Sequence, residues 1–182
     1  MRSHVIQGAV RRMILATALG AGLVTPPLPI RAGELPRAAR DPFLAQLAGR
    51  WDLHGTVLGK PVRYRGSGVW VLHDGWLRLT LVDRATPPGY QADVYLGTDA
   101  KAGDYIAHWL DQFGAAGARV VATGHRDGLT LVLHFPYDGA PFRDTLTLAP
   151  DGASGELLLE AAKQDGSWST FATYVMTRVR GP

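Results

Sequence analysis

Hydrophobic and polar residues alternate with period two through most of the chain after residue 51. This pattern is typical of antiparallel β-strands that bury one face. It is clearest over residues 129–135 and 142–148, and a hairpin is predicted over residues 69–81. Asp-Gly pairs begin at residues 74, 127, 138, 151 and 165, and Asp-Gly suits tight hairpin turns because both residues tolerate positive φ. About ten strands at hairpin spacing therefore predict an up-and-down meander.

A short helical pattern precedes the first strand. Asp41-Pro42 is a typical helix start, with Asp as the N-cap and Pro as the first helical residue. Phe43, Leu44 and Leu47 then share one face. Because no second helical pattern could cover the sheet, we expect the meander to close on itself as a barrel or a sandwich. The sequence predicts an all-β fold, an antiparallel up-and-down β-barrel of about ten strands, with the short N-terminal helix closing one end.

The N-terminal segment has the pattern of an export signal. Arg11-Arg12 precedes an apolar run from Met13 to Val24, and prolines follow this run. The run is too short to span a bilayer and has no polar face for a buried helix. We predict a signal peptide over residues 1–32, a linker over 33–40 and the barrel domain over 41–180. The arginine pair resembles that of a twin-arginine signal, so we expect an exported protein, periplasmic or secreted.

The charge balance limits the partners of the mature domain. The whole chain carries 19 Lys and Arg against 16 Asp and Glu. Residues 1–32 hold four of the arginines and no acid, which leaves 15 basic against 16 acidic side chains. A domain without excess positive charge is not expected to bind nucleic acid. Once the signal is removed, no integral membrane segment is predicted either, and the absence of Cys excludes disulfides.

The segment Gly49-Arg50-Trp51, with the helix before it and the meander after it, resembles the start of lipocalin-like barrels of the calycin superfamily. The resemblance implies structural roles for Gly49, Trp51 and Arg178. Trp51 would lie at the closed end of the barrel, and Arg178 from the last strand would pack over it. A guanidinium can stack on an indole and donate hydrogen bonds to the carbonyls of a closing helix. A ligand would then lie at the opposite, open end or deep in the interior.

Residues 95–111 sharpen this likeness. Tyr95-Leu96-Gly97-Thr98-Asp99 and the strand ending Trp109-Leu110-Asp111 resemble an uncharacterised family of exported bacterial lipocalin-like proteins, over roughly residues 41–179. Thr98 departs from that family, in which an aromatic residue is usual. The family implies a fold and no chemistry. Haem barrels of the nitrobindin type belong to the same superfamily, but the region of their iron-binding His carries Thr173, Tyr174 and Met176 here, so no cofactor is predicted.

Inward-facing aromatic and polar side chains are the candidates for a binding site. Trp109 and Asp111 share one face of a strand, where they either form a pocket floor with a polar anchor or pack the core and cap a loop. Gly66 and Gly68 would let the second strand bend or let a ligand approach closely. The candidate ligand-binding residues are Tyr64, Trp70, Trp109, Asp111, Phe142, Tyr174 and Met176.

Patterns for catalysis or metal binding are weak. The sequence has no Gly-x-Ser-x-Gly, no His-Glu-x-x-His and no two histidines at i, i+2, so we predict no catalytic residue and no metal ligand. The sequence favours a non-enzymatic exported barrel that binds a small, mostly apolar molecule, because a barrel of this size can hold one small ligand. The alternatives are a haem- or metal-dependent enzyme using the same cavity, and a structural or interaction module with a filled core.

Overall fold

The computed structural model describes residues 38–99 and 101–180. The predicted signal peptide and residues 33–37 of the predicted linker lie outside the described residues. The elements, in chain order, are α1 (Pro42–Ala45), β1 (Gly49–Val57), β2 (Lys60–Val71), β3 (Trp76–Asp83), β4 (Gln91–Asp99), β5 (Asp104–Asp111), a 3-10 turn (Gly117–Arg119), β6 (Val121–Asp127), β7 (Thr130–Phe135), β8 (Phe142–Leu148), β9 (Ser154–Ala162) and β10 (Trp168–Arg178).

The ten strands form one closed antiparallel barrel in which each strand pairs with its neighbours in sequence. Closure comes from the pairing of β1 with β10, where Trp51 lies opposite Arg178 and Val57 lies opposite Ala172. This confirms the prediction of an all-β antiparallel barrel of about ten strands, and the sandwich alternative is wrong. The barrel buries the inward face of the alternating pattern and leaves no edge of the sheet unpaired.

The predicted N-terminal helix amounts to a single turn. It begins as expected, because the Asp41 carboxylate accepts a hydrogen bond from the Leu44 backbone N–H at 2.8 Å and Pro42 is the first helical residue. It ends at Ala45, however, and Gly49 opens β1 with a φ of 113°. In the part of the chain that the structure describes, no helix is long and apolar enough to cross a membrane.

Trp51 and Arg178 lie together at the end of the barrel where β1 starts. The Trp51 side chain is 2% exposed, and its Nε1 donates a hydrogen bond to the Leu47 carbonyl oxygen at 2.9 Å. The Arg178 guanidinium carbon lies 4.3 Å from the centroid of the Trp51 ring. The same guanidinium donates hydrogen bonds to the backbone carbonyl oxygens of Gln46, Ala48 and Gly152. One side chain therefore joins β10, the segment after α1 and the turn before β9.

Gly68 is placed where the backbone of the segment after α1 crosses β2. A Cβ built on Gly68 would lie 2.2 Å from the Leu47 carbonyl oxygen. The close approach that the glycines of β2 were expected to allow is therefore made by the protein's own backbone at this position.

The substitution Gly68→Ala should lower the free energy of unfolding by about 2 kcal/mol, because backbone must move to accommodate the methyl group. Urea denaturation followed by circular dichroism measures this loss. Gly117→Ala is the matched control, since a Cβ at Gly117 meets no atom within 4 Å. Equal stability of the two variants would contradict the packing described for Gly68.

Candidate functional site

A cavity of about 880 Å³ lies at the end of the barrel opposite Trp51. Val57, at the far end of β1 from Trp51, lines it, and the two residues are about 20 Å apart along an extended strand. Leu58 and Phe113, which are 69% and 75% exposed, also line it and mark where it reaches the surface. The volume is within the range of about 300–1,000 Å³ that is usual for small-molecule sites.

Aromatic side chains make up nearly half of the residues that line the cavity. Nine of its nineteen lining residues carry aromatic rings, namely Tyr64, Tyr90, Trp109, Phe113, Phe135, Tyr137, Phe142, Phe171 and Tyr174. The rings contact one another: the Tyr64 centroid lies 5.7 Å from that of Tyr174 and 5.8 Å from that of Tyr90. Such rings combine large apolar faces with a few hydroxyl groups, so they can bury an apolar ligand and still orient it.

Five of the seven candidate ligand-binding residues line this cavity, namely Tyr64, Trp109, Asp111, Phe142 and Tyr174. Trp70 does not, because it lies toward the other end of β2, where the Arg40 guanidinium carbon lies 5.5 Å from its ring centroid. Met176 does not either. It is buried beside a separate void of about 50 Å³ that lies deeper in the barrel.

Tyr90, Trp109 and Asp111 form a hydrogen-bonded chain in the cavity wall. The Trp109 indole Nε1 donates to the Tyr90 hydroxyl at 3.0 Å, and that hydroxyl donates to the Asp111 carboxylate at 3.4 Å. Burial raises the pKa of Tyr90 above its ordinary value, and the Asp111 charge raises it further. The Tyr90 hydroxyl therefore stays protonated and can both accept and donate a hydrogen bond. Asp111 is thus a polar anchor of the wall, and it also caps the following loop by accepting from the Phe113 N–H at 3.0 Å.

Tyr90 was missed by the sequence reasoning because it precedes β4 in a loop that gives no periodic signal. It follows Pro87-Pro88-Gly89 directly. An aromatic residue between such a turn and a strand is the signal that could have identified it.

Asp144 is the buried acidic residue of the cavity, and the sequence reasoning missed it too. It is 4% exposed, on β8, and its cross-strand neighbours are Leu133 on β7 and Leu159 on β9. Its side chain lines both the cavity and the smaller void. Burial raises the pKa of the Asp144 carboxyl from 3.8 to about 7.

The signal for Asp144 was present in the period-two pattern. Over residues 142–148 the apolar residues Phe142, Leu146 and Leu148 alternate with Arg143, Thr145 and Thr147, and Asp144 has the same phase as the apolar residues. An acid among inward-facing apolar residues is a candidate functional residue, because burying an isolated carboxyl is costly.

The histidines after residue 38 do not line the cavity. His108 forms a hydrogen bond between its Nε2 and the Ala118 carbonyl oxygen at 2.7 Å, and His54, His73, His125 and His134 are exposed. Across residues 38–99 and 101–180, no three His, Cys, Asp or Glu side chains are grouped so that they could hold a metal ion.

Comparison with known proteins supports the architecture at the level of fold. No protein-family model matches the chain, and no curated protein matches it. Among solved structures it is similar to the crystal structure of Rv2717c from M. tuberculosis, with 16% sequence identity and a TM-score of 0.55. The alignment covers 78% of this chain and 100% of that chain. At this identity the similarity shows a shared barrel fold and nothing about the ligand.

Proposed function

We propose that this protein is an exported, lipocalin-like barrel that binds one small, mostly apolar molecule in the cavity opposite Trp51. The observation that carries the proposal is a cavity of about 880 Å³, lined by nine aromatic side chains among its nineteen lining residues. A structural or interaction module with a filled core would not contain such a cavity. In this proposal the turn at Pro42–Ala45 closes the other end of the barrel, and the signal pattern of residues 1–32 directs export.

Burial of apolar surface would supply the binding free energy. Each Å² of ligand surface removed from water contributes about 25 cal/mol, so a ligand that buries about 300 Å² gains roughly 7 kcal/mol before the costs of association. The hydrogen-bonded chain of Trp109, Tyr90 and Asp111 adds a fixed donor and acceptor on one wall. Tyr64 on β2 and Tyr174 on β10 add two further hydroxyl groups to the cavity wall. These groups would orient the ligand.

A neutral, environment-sensitive dye such as Nile red tests the proposal directly. We expect saturable binding with a blue-shifted emission, and we expect Trp109→Ala to weaken it at least about tenfold, which corresponds to 1.4 kcal/mol of lost contact. Titration of the dye monitored by fluorescence gives both dissociation constants.

The matched control is Trp168→Ala, which removes the same side chain from a position that does not line the cavity, where the ring packs against the Arg143 guanidinium at 4.5 Å. This variant should bind the dye as the wild type does. Absence of saturable binding by the wild type across neutral apolar probes, or equal weakening by both substitutions, would refute a binding site in this cavity.

A further inference from the structure

The acidic side chains that line the cavity differ in their hydrogen-bond partners. Asp83 accepts hydrogen bonds from the backbone N–H groups of Ala85 and Gly89 at 3.2 and 3.1 Å, and Asp111 is held as described above. Asp144 has no hydrogen-bond donor among the residues that the structure describes, and burial is the sole cause of the shift in its pKa. The carboxyl at the base of the cavity is therefore without a partner of its own.

A buried carboxyl without a partner is a poor structural element. Leaving such a group unsatisfied costs about 1–3 kcal/mol, whereas a leucine between Leu133 and Leu159 would add apolar contact. The side chain faces open space in the cavity and the inner void, instead of a neighbouring donor. Its partner is then best supplied by the molecule that fills the cavity.

The charged residues that line the cavity favour a ligand with a positive charge. Among the described residues that line the cavity, Asp83, Asp111 and Asp144 are acidic and Lys60 is basic. Lys60 is exposed at the mouth, so the interior carries carboxyl groups without compensating cations. The faces of the aromatic rings add to this preference, because the quadrupole of a Tyr, Phe or Trp ring attracts organic cations.

The Asp144 carboxyl is close enough to two of these tyrosines for its charge to act on their hydroxyl groups. The pKa of Tyr137 is raised mainly by burial and next by the Asp144 charge. The pKa of Tyr174 is raised mainly by burial, and the Asp144 charge is its smallest contribution, after those of Tyr64 and Tyr90. Tyr137 itself packs edge-on against Phe142, with 5.9 Å between the ring centroids. A cation that paired with Asp144 would therefore be surrounded by aromatic rings as well.

We propose that the cavity selects lipophilic amines, with the protonated nitrogen paired with the Asp144 carboxylate and the apolar body packed against the aromatic walls. This inference rests on the proposed function, because it names the chemical class of the molecule that the cavity binds. Nothing but association is involved: an ammonium group and a carboxylate pair, and a proton leaves Asp144 when the carboxyl was neutral beforehand.

The test compares 4-phenylbutylamine with 4-phenylbutanol, which has the same body and a neutral end group. Competition against Nile red at pH 8 should show that the wild type prefers the amine by at least about tenfold. Asp144→Asn should bring this ratio close to one, while Nile red and the alcohol still bind. Asp52→Asn changes a carboxylate on the outside of the barrel that pairs with Arg84, and it should keep the preference.

The preference should also weaken as the pH falls from 8 to 5.5, because Asp144 becomes protonated and cannot pair with the ammonium group. The buried tyrosines around the cavity (Tyr64, Tyr90, Tyr137 and Tyr174) have pKa values raised above 10 by burial, so they keep their protons in this range. Asp83 and Asp111 accept hydrogen bonds from backbone N–H groups, Lys60 lies at the mouth, and His108 does not line the cavity. The Asp144→Asn variant should show a flat profile, which assigns the change to Asp144.

The outcomes separate the two proposals. Without Nile red binding by the wild type, the cavity binds no apolar ligand and both proposals fail. With Nile red bound but no preference for the amine, or with the preference retained in Asp144→Asn, the cavity binds apolar molecules and the assignment of an amine to Asp144 is wrong. Loss of the preference in Asp111→Asn alone would move the ammonium site to Asp111 and overturn the assignment as well.

Discussion

Replacing Trp51 by alanine should lower the free energy of unfolding by about 3–5 kcal/mol, the usual cost of truncating a buried aromatic side chain. The ring is 2% exposed, so its removal leaves a void beneath the segment that follows α1. Two further contacts are lost with it. The Leu47 carbonyl loses the indole donor at 2.9 Å, and the Arg178 guanidinium loses the ring that it covers.

Urea denaturation followed by far-ultraviolet circular dichroism measures this loss independently of tryptophan fluorescence. Trp168→Ala is the matched control, and we expect it to cost about 1 kcal/mol because its ring is only half-buried. If the variant fails to fold, Trp51→Phe keeps most of the packing and removes the hydrogen bond, so it should cost about 1–2 kcal/mol. A loss below about 1 kcal/mol for Trp51→Ala would show that the ring does not hold this end together.

The barrel was accessible to sequence reasoning because its signals are local. Period two follows from strand geometry, and the turn residues stand where the hairpins are. In four of the five Asp-Gly pairs the glycine has a positive φ, at Gly128, Gly139, Gly152 and Gly166. The pair at Asp74-Gly75 works differently, since the positive φ values there belong to residues 72–74. The positions of the turns were therefore predictable from the sequence, whereas the backbone conformation of the turn at Asp74-Gly75 was not.

Closure and the end of the helix depended on contacts between distant parts of the chain. Alternation alone is equally compatible with a sandwich, and the pairing of Trp51 with Arg178 decides for the barrel. The Asp41-Pro42 signal located the start of the helix correctly because capping is local. The helix ends at Ala45, and Gly49 soon after it pairs with Gly68 on β2, a contact between distant parts of the chain that no local pattern encodes.

The sequence predicted which side chains face the interior of the barrel, but it did not predict how deep in the barrel each of them lies. Period two tells which side of a strand points inward, and Trp70 and Tyr64 share that side. It does not tell how far along the barrel axis each residue lies, which is why Trp70 and Met176 were grouped with residues of the cavity. Asp144 was missed for another reason. Inward-facing positions were identified by apolar residues of one phase, and a buried acidic residue at such a position does not fit that criterion.

The stability of the wild-type protein should fall relative to Asp144→Asn as the pH rises from about 4 to about 7. Burial raises the pKa of Asp144 from 3.8 to about 7 in the folded state. Below pH 4 the carboxyl is neutral in both the folded and unfolded states, and the two proteins should be similarly stable. Between pH 4 and 7 unfolding releases this proton, so stability decreases as the pH rises. Above pH 7 the difference should be constant.

A shift of roughly three pKa units corresponds to about 4 kcal/mol, at 1.36 kcal/mol per unit, so Asp144→Asn should exceed the wild type by up to that amount at pH 8. Urea denaturation at pH 4, 6 and 8 measures it, and Asp52→Asn should parallel the wild type throughout. Parallel curves for Asp144→Asn and the wild type would mean that the carboxyl is not desolvated. A saturating lipophilic amine should stabilise the wild type at pH 8 by about 1.4 kcal/mol more than it stabilises Asp144→Asn, which is the difference expected for a tenfold loss of affinity.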